Sequence, residues 1–413
     1  MINREKINQG GRILSWAMYD MANQFFALNI VSLYFVRWLT IEKKAPELLY
    51  SLAFGISTFF IALLAPILGT VADMHGKHSP FLIFFTLLCI VFTMLLALTN
   101  SVLTALLFFA IANIGCQEAV IFYNSLMLTI SRKENRGLIS GLGKMFGYLG
   151  AIIALLVTKP VIAAKGYGAI FLLSGGLFFI FALPCMIFIK DAHVPERRPQ
   201  AAPLDGGEIV RIFKRLKTTL FTDDCYCGLR EFLKAAFLGL CVIQAIMLFM
   251  SVYATKAFGL NDAQIINFIA FSTLFAVIGS LGSGILSDRI GYKRAMMIVF
   301  LLWMVCLVAS ALVVPPFHLI VGALAGVSLG ATWVVARALV MNIVPRDKTG
   351  EAFGLFNFVG YLSGIIGPIL WGVLLIILQP FGMLGQRLVL LCFLPFFLIG
   401  YLYLMRVPEP DVY

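Results

Sequence analysis

The sequence predicts an all-α integral membrane protein, with twelve transmembrane helices in two pseudo-symmetric bundles of six. Three observations predict it. Of the 413 residues, 61% are apolar and only 12% charged, against about 25% charged in a soluble domain. Twelve segments are long and apolar enough to cross a bilayer, which takes about 20 residues at a rise of about 1.5 Å each. Loop motifs and glycines also recur between the two halves at nearly one offset. The composition excludes a soluble globular domain, a disordered chain, and nucleic-acid binding as the main function. The formal charge of +11 is read as Lys and Arg gathered in cytoplasmic loops beside anionic lipid.

The first segment, near 13–36, follows a basic start (Arg4, Lys6, Arg12) with no small-residue cleavage pattern, so it is expected to stay as a helix. Segments near 50–72 and 79–99 flank a polar loop, and 101–130 is set off from the third only by Asn100 and its neighbours. Segments near 138–160 and 167–189 complete the first half. The longest polar break, 191–230, holds Pro195, Pro199, Pro203 and Gly206-Gly207, then a basic amphipathic stretch from Ile209 to Leu220. It is expected to tether the halves and to lie on the inner leaflet. Segments near 231–257, 264–287, 295–315, 317–343, 351–378 and 384–406 make the second half. The expected domains are therefore a bundle at 1–190, a linker at 191–230 and a bundle at 231–413.

With the N-terminus inside, 22 of the 31 Lys and Arg fall in cytoplasmic loops and seven outside. Lys144 and Arg337 lie within helices. Both termini are thus expected on the cytoplasmic side of a bacterial inner membrane. Six of the eight cysteines sit in apolar runs and read as core residues. Cys225 and Cys227 form a lone C-x-C, too little for a metal site, so free thiols are expected.

Gly69-Thr-Val-Ala-Asp73-Met-His-Gly76-Lys77-His78 after the second helix matches Gly284-Ile-Leu-Ser-Asp288-Arg289-Ile-Gly291-Tyr-Lys293-Arg294 after the eighth, a shift of 215. A second match at a shift of 213 relates Gly137 to Gly350, Gly141 to Gly354, and Gly147-Tyr148-Leu149 to Gly360-Tyr361-Leu362. A duplicated six-helix unit is the signature of transporters whose halves move about a central site.

The doubled loop, Gly-x-x-x-Asp-Arg/Lys-x-Gly-Arg/Lys-Arg/Lys, resembles the loop motif of the major facilitator superfamily, and the resemblance covers the whole chain. Further residues resemble the "unknown major facilitator" branch, which includes autophagy-related vacuolar amino-acid effluxers. They are Trp16-Ala-Met-Tyr19-Asp20-Met-Ala22-Asn23, Tyr123-Asn124, Ser140-Gly141-Leu-Gly143, Gly147-Tyr148-Leu-Gly150, Phe353-Gly354-Leu and Gly367-Pro368. Met21, Cys241, Val242 and Ala336 depart from that branch's pattern. The resemblance implies the major facilitator fold, in which helices 1, 4, 7 and 10, helped by 2, 5, 8 and 11, line a central cavity.

An ionisable group inside the bilayer costs about 2.5–3.5 kcal/mol on insertion scales, so each one needs a partner or a watery cavity. Asp20, Glu118, Lys144 and Arg337 qualify, and none falls on an expected outer helix. Helical spacing places Asn23 and Gln24 beside Asp20, Gln117 and Asn124 beside Glu118, and Tyr148 beside Lys144. The 213 shift maps Lys144 onto Asn357 and Tyr148 onto Tyr361, and helix 7 adds Gln244. These twelve residues are the expected substrate or coupling site. Glu118, nearest the midplane, is the expected proton site, because a carboxyl desolvated there is favoured in its neutral form. Lys144 and Arg337 could hold a carboxylate or phosphate. Asp20 with Lys144 could equally be a structural ion pair, and Arg337 could brace the inner gate.

The loop motif reads as a gate. Gly69 and Gly284 allow close helix approach, while Asp73 or Asp288 can cap a helix or accept from Arg132, Arg136 or Arg346. Gly76, Lys77, Arg289, Gly291, Lys293 and Arg294 complete the expected gating set. Gly326-Val-Ser328-Leu-Gly330 matches a hydrolase nucleophile pattern but lies in a helix with no strand before it, so with Gly322 it reads as a packing seam. No enzyme activity, metal or cofactor is expected.

The function expected from the sequence is proton-coupled secondary active transport of a small organic solute by alternating access. An amino acid, organic anion or zwitterion is the expected substrate, the resemblance supplying the amino acid. Alternatives are an amphiphile or lysolipid transporter, or a transport-dead receptor or scaffold. The expected partners are the substrate, protons and the lipid bilayer, with no nucleic acid, and the protein is expected to be a monomer.

Overall fold

A computed structural model describes residues 2–191, 228–260, 262–313 and 317–408. The amphipathic stretch expected at 209–220, with Cys225 and Cys227, lies outside the described residues. Twelve helices are long and apolar enough to cross a membrane. The first six are α1 Gln9–Glu42, α2 Leu49–His75, α3 Ser79–Leu98, α4 Val102–Thr129, α5 Lys133–Ile162 and α6 Ala164–Phe188. The second six are α7 Leu229–Met250, α8 Asn267–Ile290, α9 Tyr292–Leu312, α10 His318–Ile343, α11 Arg346–Ile377 and α12 Leu384–Arg406. Leu103, Leu156, Ile320 and Ile376 are among many large apolar side chains left exposed. Such a surface suits acyl chains and not water.

Local chemistry explains where the helices break. Between α3 and α4, Thr99 turns extended, and Ser101 caps α4 by accepting from the Thr104 amide. Gly166, at φ 75°, divides α5 from α6. Gly76 ends α2 in the left-handed region with its amide on Ala72 and Asp73 carbonyls. α1 runs longer than its apolar pattern, because two π-helical stretches, Ala27–Leu33 and Trp38–Glu42, carry it onward. The wider turn is rare and marks a local packing demand. Here the first stretch holds fully buried Asn29, whose Nδ2 donates to Ser174 Oγ of α6 at 3.0 Å.

Contacts gather the chain into two compact units. The first takes residues 1–132, 142–213 and 346–354, and the second 133–141, 214–345 and 355–413. The first turns of α5 therefore pack within the second unit, and those of α11 within the first. In the first unit, α4 lies on α3 with Gly115 against the Phe85 and Cys89 backbone at 2.8 Å. An aromatic stack ties α1 to α4: Trp16 and Tyr123 rings stand 4.5 Å apart, and Trp16 Nε1 donates to the Tyr123 carbonyl at 3.0 Å. In the second unit, Gly322, Gly326 and Gly330 of α10 lie on Phe268, Ser272 and Ala276 of α8. This is the packing seam expected from the small residues.

Candidate functional site

The duplicated loops build two equivalent carboxylate clamps. In the first unit, Gly69 at the end of α2 meets Gly350 at the start of α11, and a side chain on either would strike the other's carbonyl. That approach brings Asp73 onto the exposed amides of α11. Its Oδ1 accepts from Gly350 N at 3.0 Å and its Oδ2 from Glu351 N at 2.7 Å. In the second unit, Gly284 and Gly137 meet in the same manner. Asp288 accepts from Gly137 N at 2.7 Å and Leu138 N at 2.8 Å. Of the two roles expected for the aspartates, these bonds are the helix cap, which also places an anion at the positive end of a helix.

The rest of the expected gating set lies around these clamps. Arg136 is buried and donates to the Met341 carbonyl at 2.9 Å, and Lys293 donates to the Met405 carbonyl at 3.0 Å. Lys77, Arg132, Arg289 and Arg294 are exposed. Gly76 and Gly291 take φ of 65° and 89°.

Sequence reasoning missed three groups at the clamps. His78 Nε2 contacts Asp73 Oδ1 at 2.9 Å, and its Nδ1 lies 3.6 Å from Asp191 Oδ1. Asp191 also accepts from the His78 and Ser79 amides at 2.7 and 3.1 Å, which fixes the start of α3. Tyr292 hydroxyl sits 2.9 Å from Asp288 Oδ1. His78 had a signal, since it replaces the last basic residue of the motif; Asp191, beyond α6, had none. Burial alone would drive the imidazole towards its neutral form, but the contacts with Asp191 and Asp73 outweigh it and hold His78 up to about 9. Against its own burial, the same contact and the two amides hold Asp191 below the usual carboxylate range.

The other candidates divide between the units. In the first, Lys144 Nζ lies 3.5 Å from Asp20 Oδ1, and the Asp20 side chain is almost wholly enclosed. Gly143 and Gly147 of α5 face Asp20 and give α1 room to approach. Asn23 Oδ1 accepts weakly from Cys116 Sγ at 3.9 Å. Glu118 is fully buried, and among the described residues neither of its oxygens has a hydrogen-bond partner. Asn124 is buried, whereas Gln24, Gln117 and Tyr148 are half-buried. In the second unit, Arg337 is buried, while Gln244, Asn357 and Tyr361 are half-buried. The pair that forms is Asp20 with Lys144; Glu118 stands apart from it.

Twelve apolar helices carrying a doubled, glycine-seated carboxylate clamp and a few enclosed charges define a multi-pass membrane transporter. The family model of the Major Facilitator Superfamily matches residues 17–368 and, in a second match, 232–412, and the chain belongs to that family. It is 28% identical to an uncharacterized protein of Aquifex aeolicus, over 89% of this chain and 90% of that one. It is 25% identical to the uncharacterized MFS-type transporter YxiO of Bacillus subtilis, over 96% and 94%. The crystal structure of the human organic anion transporter MFSD10 superposes with a TM-score of 0.74 at 14% identity, covering 97% of this chain and 99% of that one. The last likeness is one of fold.

Proposed function

We propose that this protein is a secondary active transporter that moves a small organic solute by alternating access, with the proton as coupling ion. The observation that carries the reading is the doubled clamp. Asp73 and Asp288 each hold a helix start through two backbone amides. Hydrogen bonds to a helix end can be made and broken whole, without unfolding either helix, as a reversible inner latch requires. Lys144 and Arg337 are the cations for a substrate carboxylate, Arg337 through its bidentate fork, and an amino acid or related organic anion or zwitterion is the substrate class. Glu118 is the proton carrier. A carboxyl enclosed without partners is stable there only when neutral, so its proton would leave in the state that admits water.

Thermal stabilisation of the purified protein by a panel of amino acids and small organic acids tests the site. A subset of the panel should stabilise the wild type, and Arg337→Ala and Lys144→Ala should each weaken that binding at least tenfold. Unchanged stabilisation of both variants would overturn the assignment.

A further inference from the structure

We infer that His78, braced between Asp73 and Asp191, makes the α11 latch sense pH on the cytoplasmic side, protonation of the imidazole tightening the latch. The inference rests on the latch reading proposed above and deepens it.

Three elements meet at this imidazole. Asp73, from the end of α2, shares its Oδ1 between the Gly350 amide at 3.0 Å and His78 Nε2 at 2.9 Å. Its side chain is completely enclosed, so the anion needs the nearby positive charge as well as the amides. Asp191, from the end of α6, faces the other ring nitrogen at 3.6 Å and holds the His78 backbone through its amide. The start of α3 points its own amides at Asp191. Of the neighbours in the loop, Lys77 is exposed and His75 Nδ1 contacts the Val71 carbonyl. The carboxylates that face the imidazole are therefore Asp73 and Asp191.

The second clamp lacks such a group. Asp288 meets the neutral Tyr292 hydroxyl, which also contacts the Lys133 carbonyl at 2.6 Å. The basic residue that the motif would place at His78 is Arg294 in the second copy, and an arginine keeps its charge throughout. Only the first clamp thus carries a group that changes charge near neutrality.

The sign follows from linkage. In the latched state His78 holds its proton up to about 9; released from Asp73, it falls back towards the ordinary 6.5. Proton binding therefore favours the latch. The stabilisation is complete below 6.5, declines as pH rises, and is lost on passing about 9. The latching equilibrium should change by up to about a hundredfold across that window.

Hydrogen–deuterium exchange on the full chain in lipid nanodiscs reads this directly. The peptide carrying the Gly350 and Glu351 amides reports the first latch, and the one carrying Gly137 and Leu138 serves as control. After correction for intrinsic exchange, wild-type protection at 350–351 should fall at least tenfold between pH 6 and pH 9, with no matching fall at 137–138. His78→Arg, which restores a permanent charge, should stay protected and flat with pH; His78→Gln should be weakly protected and flat. Wild-type protection that ignores pH, or a fall that persists in His78→Arg, overturns the inference. Asp73→Asn separates the two readings. If it leaves protection unchanged, the latch itself is wrong; if it lowers protection while His78→Arg keeps the wild-type pH profile, only the role of His78 is wrong.

Discussion

The Asp20–Lys144 pair is legible in the sequence because each charge interrupts an otherwise apolar run. That the two meet follows from the glycines around Lys144, which let α5 close on α1. Glu118 is legible for the same reason. Asp191 is not, because its partner His78 is 113 residues away and nothing in its own surroundings distinguishes it from an ordinary loop acid. Removing one member of an enclosed pair leaves the other charge uncompensated, at a cost of about 3–5 kcal/mol when both are buried. Lys144 is partly exposed, so the loss should be smaller. Lys144→Met should destabilise the purified protein by about 1–3 kcal/mol, and adding Asp20→Asn should recover most of it. Thermal or chemical unfolding of the single and double variants checks this. A double variant as unstable as the sum of the singles would mean that the two side chains do not interact.

Helix positions were readable to within a few residues wherever length and apolarity decide them. The exception is α1, where the expected end near 36 gives way to a helix reaching Glu42. Hydropathy reports the free energy of immersion, and a π-helical turn answers to packing instead, as Asn29 does against Ser174. Glycine roles divide in a similar way. Gly322, Gly326 and Gly330 announced a seam by spacing, yet their spacing did not tell which helix lies on them; α8 does. A methyl group at Gly330 would press on the Ala276 carbonyl and the Ser280 amide, neither of which can yield. Gly330→Val should therefore destabilise by at least about 1–3 kcal/mol, the usual cost of overpacking. Gly282 of α8 has nothing within 4 Å of such a methyl. Gly282→Ala should be neutral or gain up to about 1 kcal/mol from helix propensity. Similar melting temperatures for the two variants would remove the seam from the account of stability.

For the whole molecule, the offsets of 215 and 213 identify corresponding positions but do not say which of them touch. The structure supplies the missing step. Gly69 and Asp73 pair with Gly350 and Glu351, while Gly284 and Asp288 pair with Gly137 and Leu138, so each loop copy clamps a helix start in the other part of the repeat. Duplication accounts for the equivalence of the clamps, and the departure at His78 accounts for their difference. The enclosed charges do not follow the repeat: Glu118 has no acidic counterpart near the equivalent part of α10, where Ala331 stands at the 213 offset. An asymmetric carboxyl in a symmetric frame fits a task that has to be done once per cycle, such as carrying a proton. Glu118→Gln keeps the size and removes the titration. Reconstituted in vesicles with an identified substrate, it should retain substrate exchange at equal pH on both sides. Accumulation driven by a pH gradient should fall at least tenfold, whereas Arg337→Ala should lose both activities. Undiminished gradient-driven accumulation by Glu118→Gln would remove Glu118 from the coupling step, and an Arg337→Ala variant that still exchanges would place substrate recognition elsewhere.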